Sequence, residues 1–304
     1  KNRIISMMVI GCLTAGLVLA PVGEDKTCAA DVLNGLVCHL SFDGSSEEEQ
    51  MRNKAPDSGC AAEKTGSGAV LNEQEGISGG MLYFGKQENS YLRLGLKDSG
   101  QALNASTDDF SVMAWVRFDR DAFEGGSDKI NLFQQTADAG DPGAAGRTIL
   151  YYTSDKKIGT FLTGNDVLCS RGIAVESWVH IALTCSHSDK KVRFYINGSM
   201  AGEHTLNGDF VNAATDILVG AHKNPEAKSA MKGRLDELRY YNRVAEADEI
   251  REVYREFAEE EQRKVKIEAD ANTSLREIPD AMFGINHRYH NNGYNSWNAA
   301  EQKI

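Results

Sequence analysis

The densest group of chemistry-bearing residues in this 304-residue chain is its last stretch, FGINHRYHNNGYNSWNAAEQKI, residues 283–304. Asn286, His287, Arg288, Tyr289 and Trp297 combine amide, imidazole and guanidinium groups with aromatic faces. Such a set suits the polar edge of a sugar-binding cleft, where donors meet hydroxyls and rings stack on aromatics. Tyr151, Tyr152 and Tyr195 are a second aromatic set, expected to offer a stacking surface for a sugar ring. Carboxylate catalysis is harder to find. RLDELRYYN sets Asp236 beside Glu237, and strand alternation would send the two to opposite faces, away from any shared substrate. No HExxH or phosphate loop occurs, and the Gly-rich DAGDPGAAGR (138–147) lacks the strand-to-helix context of a phosphate cradle.

These residues need a frame, and the chain supplies one made of strands. Between residues 35 and 242, short runs such as FSVMAWVRF, WVHIALTC and KVRFYING alternate with clusters of Gly, Asn, Asp and Ser. In KVRFYING, Val192, Phe194 and Ile196 face one way and Arg193 and Tyr195 the other; Asn197-Gly198 then provides a two-residue hairpin turn. Ten or more such runs without long intervening helices predict an all-β, antiparallel β-sandwich. Residues 246–263 differ. Ile250, Val253, Tyr254 and Phe257 fall at helical spacing on one stripe, among charges that include the like-charged pairs Glu252–Glu256 and Glu256–Glu260. The expectation is a C-terminal helix laid onto the sandwich by its stripe, with residues 259–264 as a linker and a partial strand beyond.

Trp115 and Trp178 are expected as core or inter-sheet plugs, and His180 as a hydrogen-bonded core histidine. Arg239 and Arg243 are expected to pair with surface acids.

At the other end, Lys1 and Arg3 precede an apolar run from Ile4 to Ala20, and Cys28-Ala29-Ala30 precedes Asp31. This reads as a signal peptide over residues 1–30, hence a secreted or cell-surface protein. Val9-Ile10-Gly11-Cys12 allows a lipid anchor at Cys12, and the apolar run allows a membrane anchor. Four further cysteines, Cys38, Cys60, Cys169 and Cys185, permit disulfides in an exported chain with three possible connectivities. Cys38–Cys60 and Cys169–Cys185 are the sequence-local pairs, and four buried free thiols are the other reading. A net charge of −11 argues against nucleic acid as a partner.

In order, LVCHLSFDG, FSVMAWVRF, ESWVHIALTCSHSDKKVRFYINGSMAG and MKGRLDELRYYNRVAEADEIREVY resemble the laminin-G-like jelly-roll modules of the concanavalin A-like lectin/glucanase superfamily over residues 31–258. The resemblance implies a jelly roll that binds a polysaccharide or other glycan. It also implies a structural Ca²⁺ at Asp43 and Asp236, with Asn89 contributing; the alternative is that these acids cap turns and pair with arginines. The glucanases of that superfamily carry a Glu-x-Asp-x-x-Glu strand, which this chain lacks. IPDAMFGINHRYHNNGYNSWN resembles the opening strand and loop of the (β/α)₈ domain of arabinofuranosidase-like glycoside hydrolases. Residues 265–304 are therefore expected to begin such a domain, without its catalytic carboxylates. The functional expectation is a non-catalytic, carbohydrate-binding or accessory module of a secreted bacterial glycoside hydrolase. An extracellular adhesion or protein-interaction module is the alternative.

Overall fold

A computed structural model describes residues 31–56 and 58–263, with side chains as far as Ala258. The expected signal segment, Cys12, and the tail residues Asn286, His287, Arg288, Tyr289 and Trp297 lie outside the described residues. In chain order the elements begin with β1 (Leu36–Leu40), α1 (Glu47–Gln50), β2 (Ala61–Thr65), β3 (Ala69–Asn72), β4 (Met81–Gly85) and β5 (Tyr91–Gly95). The central strands are β6 (Phe110–Phe118), β7 (Lys129–Thr136), β8 (Thr148–Thr153), β9 (Lys157–Phe161) and β10 (Val167–Gly172). Last come β11 (Val179–Ser186), β12 (Lys191–Ile196), β13 (Ser199–Thr205), β14 (Asp216–Val219), β15 (Lys232–Tyr241) and α2 (Ala247–Arg263).

The strands form two antiparallel sheets, the expected jelly-roll sandwich. One runs β13-β12-β11-β6-β15-β4-β3, with β1 also paired to β15; the other runs β10-β9-β8-β7-β14-β5-β2. Alternation builds the core between them. Val192, Phe194 and Ile196 point inward from β12, and Ile181, Leu183 and Cys185 do so from β11. Phe118 of the first sheet stacks on Tyr152 of the second, with ring centroids 3.9 Å apart. Asn197 and Gly198 take φ values of 49° and 68°, the left-handed pair that a two-residue hairpin turn requires.

Tyr195, Met113 and Ala182 point away from that core and meet Ile250 and Val253 of α2. The predicted stripe thus docks the helix on the outer face of the first sheet. The helical backbone runs on through Arg263, where a linker was expected. Trp115 and Trp178 belong to this outer layer, with Phe257 and Tyr254, and are not inter-sheet plugs. The reason is register: Trp115 pairs with His180, and both sit at outward positions of their strands. Arg243 sets the start of the helix, donating to both carboxylate oxygens of Glu249 (2.6 and 2.7 Å) and to the Asn34 carbonyl at 2.7 Å. Tyr241 donates its hydroxyl to the Val32 carbonyl at 3.0 Å, so the first described residues are tied to the same flank.

Sequence alternation fails on β15. The register against β6 shifts between Asp236 and Arg239, and Glu237 takes a φ of 48°. This is a β-bulge, one extra residue in the strand. Leu235 and Leu238 both face the core, and Asp236 and Glu237 between them turn outward together. Glu237 accepts from His39 at 2.7 Å and from Arg239 at 3.4 Å, and Arg239 reaches Glu256 of α2 at 2.8 Å. The arginine expected to meet surface acids is thus itself buried.

His180 is fully buried, as expected, but neither ring nitrogen has a hydrogen-bond partner among the described residues; its ring meets Trp115 edge-on. Burial foremost, and then Arg239, pull its pKa down to about 3. The folded protein therefore holds His180 neutral, whereas the unfolded chain protonates it near pH 6.5. Its contribution to stability is complete above that pH and is lost as pH falls toward 3, by up to about 1.4 kcal/mol per pH unit. Urea midpoints measured from pH 7 to 4 are expected to fall more steeply for the wild type than for His180→Gln; parallel slopes would refute this assignment.

Candidate functional site

Two places in the sandwich gather polar groups that could hold a ligand. The first is the glycine loop before β4. Asp43 accepts from the Gly80 amide at 3.1 Å and pairs with Lys54 at 3.3 Å. Asp236 accepts from the Ile77 amide at 2.8 Å and from Ser78 at 3.4 Å. The loop is glycine for want of space: a Cβ on Gly76 would stand 2.0 Å from the Gly80 carbonyl oxygen and 2.6 Å from Asp236 Oδ2. On Gly80 it would stand 2.1 Å from the Phe42 carbonyl oxygen, and on Gly79 2.3 Å from Asp43 Oδ1. Two carboxylates and several carbonyls therefore crowd one loop, a hard-oxygen donor set that fits Ca²⁺. Burial first, then Glu237, raises the Asp236 pKa well above the usual carboxylate range, and Asp43 adds to the rise. Among the described residues no cluster of three or more His, Cys, Asp or Glu side chains is placed to hold a metal, so an ion here would have to rely on main-chain oxygens for most of its donors.

Asn89 is not part of this group. It follows β4, whereas the loop precedes it, and five strand residues separate the two by about 16 Å. The Asn89 amide instead donates to the Pro225 carbonyl, with φ at 54°.

The second place is a cleft of about 440 Å³ on the outer side of the second sheet, with Tyr151, Asn131 and Phe161 among its walls. The β7–β8 register sets Asn131 opposite Tyr151, and the β8–β9 register sets Tyr151 opposite Gly159. The tyrosine ring lies across that glycine, where a Cβ would come within 2.6 Å of Tyr151 Cζ. Tyr151 donates its hydroxyl to Asp166 at 2.9 Å, and Lys129 pairs with Asp166 at 2.5 Å while lying 4.9 Å from the ring centroid. Burial, and then the Asp166 hydrogen bond, push the phenol pKa up, so it stays a donor at neutral pH. Asn131 Oδ1 lies 3.1 Å from the Thr148 hydroxyl, and the amide nitrogen of Asn131 donates to the Ser229 carbonyl at 3.4 Å.

Across the cleft, His222 Nδ1 accepts from the Asn224 amide at 3.3 Å, which assigns its remaining proton to Nε2. Burial and then Lys223 lower its pKa, so it is a neutral donor. Asn224 donates to Glu226 at 2.8 Å, and Glu226 pairs with Lys228 at 2.6 Å. The Lys228 hydrogen bond holds Glu226 below the usual carboxylate range, which is the wrong direction for a general acid. The charges thus close on each other in two pairs. What remains for a ligand is a neutral set of amide, imidazole and ammonium donors with carboxylate and amide acceptors.

A larger hollow, about 640 Å³, lies beside Asp108, Asp109 and His187. Its carboxylates already serve their own turns: Asp108 accepts from the Asn104 amide and Asp109 from the His187 amide, each at 2.7 Å.

The tyrosine surface expected from the sequence does not form. Tyr151 and Tyr152 are consecutive on β8, so alternation puts Tyr152 in the inter-sheet core. Tyr195 is buried under α2 on the other sheet. Only Tyr151 reaches the cleft, and it is covered by Lys129, so its ring is not an open platform. The four expected disulfide cysteines are all buried free thiols. Lys129, Asn131, Asp166, His222 and Asn224 were not singled out by sequence, because no local motif joins three separate segments.

A family model described as the concanavalin A-like lectin/glucanases superfamily matches residues 86–251, just over half of the chain. No curated protein sequence matches it. Among solved structures, the binding domain of Paraclostridial Mosquitocidal Protein 1 aligns at a TM-score of 0.54 and 18% identity, over 74% of this chain and 53% of that one. The botulinum neurotoxin serotype G binding domain aligns at 0.53 and 15%, over 72% and 50%. Trypanosoma rangeli sialidase in complex with sialic acid aligns at 0.52 and 15%, over 73% and 33%. The chain thus spans about half the length of the toxin domains and a third of the sialidase, and at these identities the likeness is one of fold.

Removing the Tyr151 hydroxyl leaves Asp166 short of one donor. Tyr151→Phe is expected to cost about 1 kcal/mol of stability in urea unfolding. Gly159→Ala, which drives a methyl into the ring, is expected to cost about 1–3 kcal/mol.

Proposed function

The chain belongs to the concanavalin A-like lectin/glucanases superfamily, and from that premise we propose that its sandwich is a non-catalytic module that binds a neutral glycan in the cleft of the second sheet. The charge-paired, hydrogen-bonding cleft carries this reading: it offers donors and acceptors suited to hydroxyls and no net charge to attract an ion. The first sheet is closed by α2, so the second presents the open face. The likeness in fold to a third of Trypanosoma rangeli sialidase, a structure in complex with sialic acid, supports the reading.

The proposal extends to the whole protein. Residues 1–30 act as a signal peptide, residues 31–258 as the module, and residues 265–304 open a glycoside hydrolase domain of the arabinofuranosidase-like kind, which places the protein outside the cell. The FGIN segment and the apolar leader support this. Calcium is part of the proposal too, held by Asp43, Asp236 and the carbonyls of the glycine loop, where it would neutralise a buried carboxylate and fix the loop.

On a glycan array the protein is expected to bind neutral oligosaccharides. Asn131→Ala combined with Asn224→Ala should weaken the signal at least about tenfold, the worth of one or two hydrogen bonds, while the variant still unfolds in one cooperative transition at a lowered temperature. Capture of a protein partner with no glycan signal would instead favour the adhesion reading. For calcium, EDTA is expected to lower the unfolding temperature of the wild type and leave Asp236→Asn unmoved; an EDTA-insensitive wild type removes the ion from the proposal.

A further inference from the structure

The sequence leaves three ways to pair Cys38, Cys60, Cys169 and Cys185, and the structure separates them. Cys38 points into the core from β1 of the first sheet, and Cys60 enters the same core just before β2 of the second. Two side chains from the intervening segment tie these strands together. Asn53 donates to the Val37 carbonyl at 3.0 Å and to the Cys60 carbonyl at 3.1 Å. Ser58 donates to the same Val37 carbonyl at 2.5 Å and accepts from the Cys60 amide at 3.2 Å. One hydroxyl and one amide thus span the backbone of Cys60 and that of the residue beside Cys38. The thiols feel each other accordingly: their interaction is the largest influence on both, raising the Cys38 pKa and lowering that of Cys60.

Cys169 and Cys185 have no such relation. Cys169 lies against Gly202 of β13 and directs its thiol to the Arg171 carbonyl at 2.9 Å. Cys185 sits on β11, two strands away from β13, paired with Val192 and Phe110. Burial pushes its thiol pKa up to about 12, which leaves almost no thiolate to react.

We propose that Cys38 and Cys60 are a redox-competent pair that closes to a disulfide between the two sheets when a low-molecular-weight or protein disulfide is the oxidant, while Cys169 and Cys185 stay reduced. Cys60 starts the exchange, since it lies outside the strands just before β2, keeps the small exposure (3%) that Cys38 lacks, and has the lowered pKa of the two. Its thiolate attacks one sulfur of the oxidant and expels the other as a thiolate, leaving a mixed disulfide. Cys38 then loses its proton, and its sulfur attacks Cys60 Sγ and expels the second thiol. Two protein thiols are oxidised by two electrons, one external disulfide is reduced to two thiols, and the two protons pass to those thiols. The bridge closes the loop from residue 38 to residue 60, which holds α1 and the Asn53 bridge, and restricts the unfolded chain. The proposal is independent of glycan binding.

The full chain, folded, is incubated with oxidised glutathione, then unfolded and alkylated, and its peptides are mapped without reduction. The expected product is about 2 Da lighter over the two peptides carrying Cys38 and Cys60, now joined, with Cys169 and Cys185 alkylated. Oxidation should also raise the unfolding temperature by several degrees, a gain that dithiothreitol reverses and that Cys60→Ser lacks. Full alkylation of Cys38 and Cys60 after the treatment, or a bridge from either to any other cysteine, overturns the proposal. The wild-type peptide map separates these outcomes by itself, even if the serine variant fails to fold.

Discussion

One extra residue in β15 governs the rest of the molecule. With the bulge at Asp236–Glu237, β15 stays paired to β6 along one edge while its other edge serves β4 first and β1 afterwards. The same bulge turns two adjacent carboxylates outward. Asp236 reaches the glycine loop, and Glu237 joins His39 and Arg239, whose guanidinium holds Glu256 of α2. A residue in a left-handed conformation is costly unless its surroundings fix it. Here they do: the Glu237 amide donates to Asp236 Oδ1 at 2.7 Å, and its carboxylate has two partners.

Closure of the first sheet follows from that arrangement. Arg239 and Arg243 engage α2 near its middle and its start, and the apolar stripe fills the space between helix and sheet. A sandwich has two outer faces, and this one covers the first with its own chain. The cleft lies on the other, where β7, β8 and β9 bring Asn131, Tyr151 and Phe161 to one wall and the segment after β14 supplies the opposite wall.

Much of this frame could be read from residue order. The alternation in KVRFYING, the Asn-Gly turn and the stripe of Ile250, Val253, Tyr254 and Phe257 are local signals, and local physics decided each of them. The bulge was not legible, since an inserted strand residue changes neither composition nor hydrophobicity; only the pairing with β6 reveals it. The same limit hid the cleft, whose walls come from residues about a hundred positions apart. Tyr151 and Tyr152 are a different case. Their adjacency on a strand already required one to face the core, so chemistry alone had suggested a surface that geometry forbids.

The knot around Arg243 has a mechanical side. Its guanidinium holds Asn34 and Asp31 by their carbonyls and Glu249 by its carboxylate, while Tyr241 holds Val32. Tension applied between the start of β1 and the start of α2 therefore loads this clamp first and then peels the short antiparallel β1–β15 ladder from its Leu36–Tyr241 end. The sheet that carries the cleft lies outside that line of force. A neighbour pulling on the module from either side would strain its fastening before it disturbed the cleft.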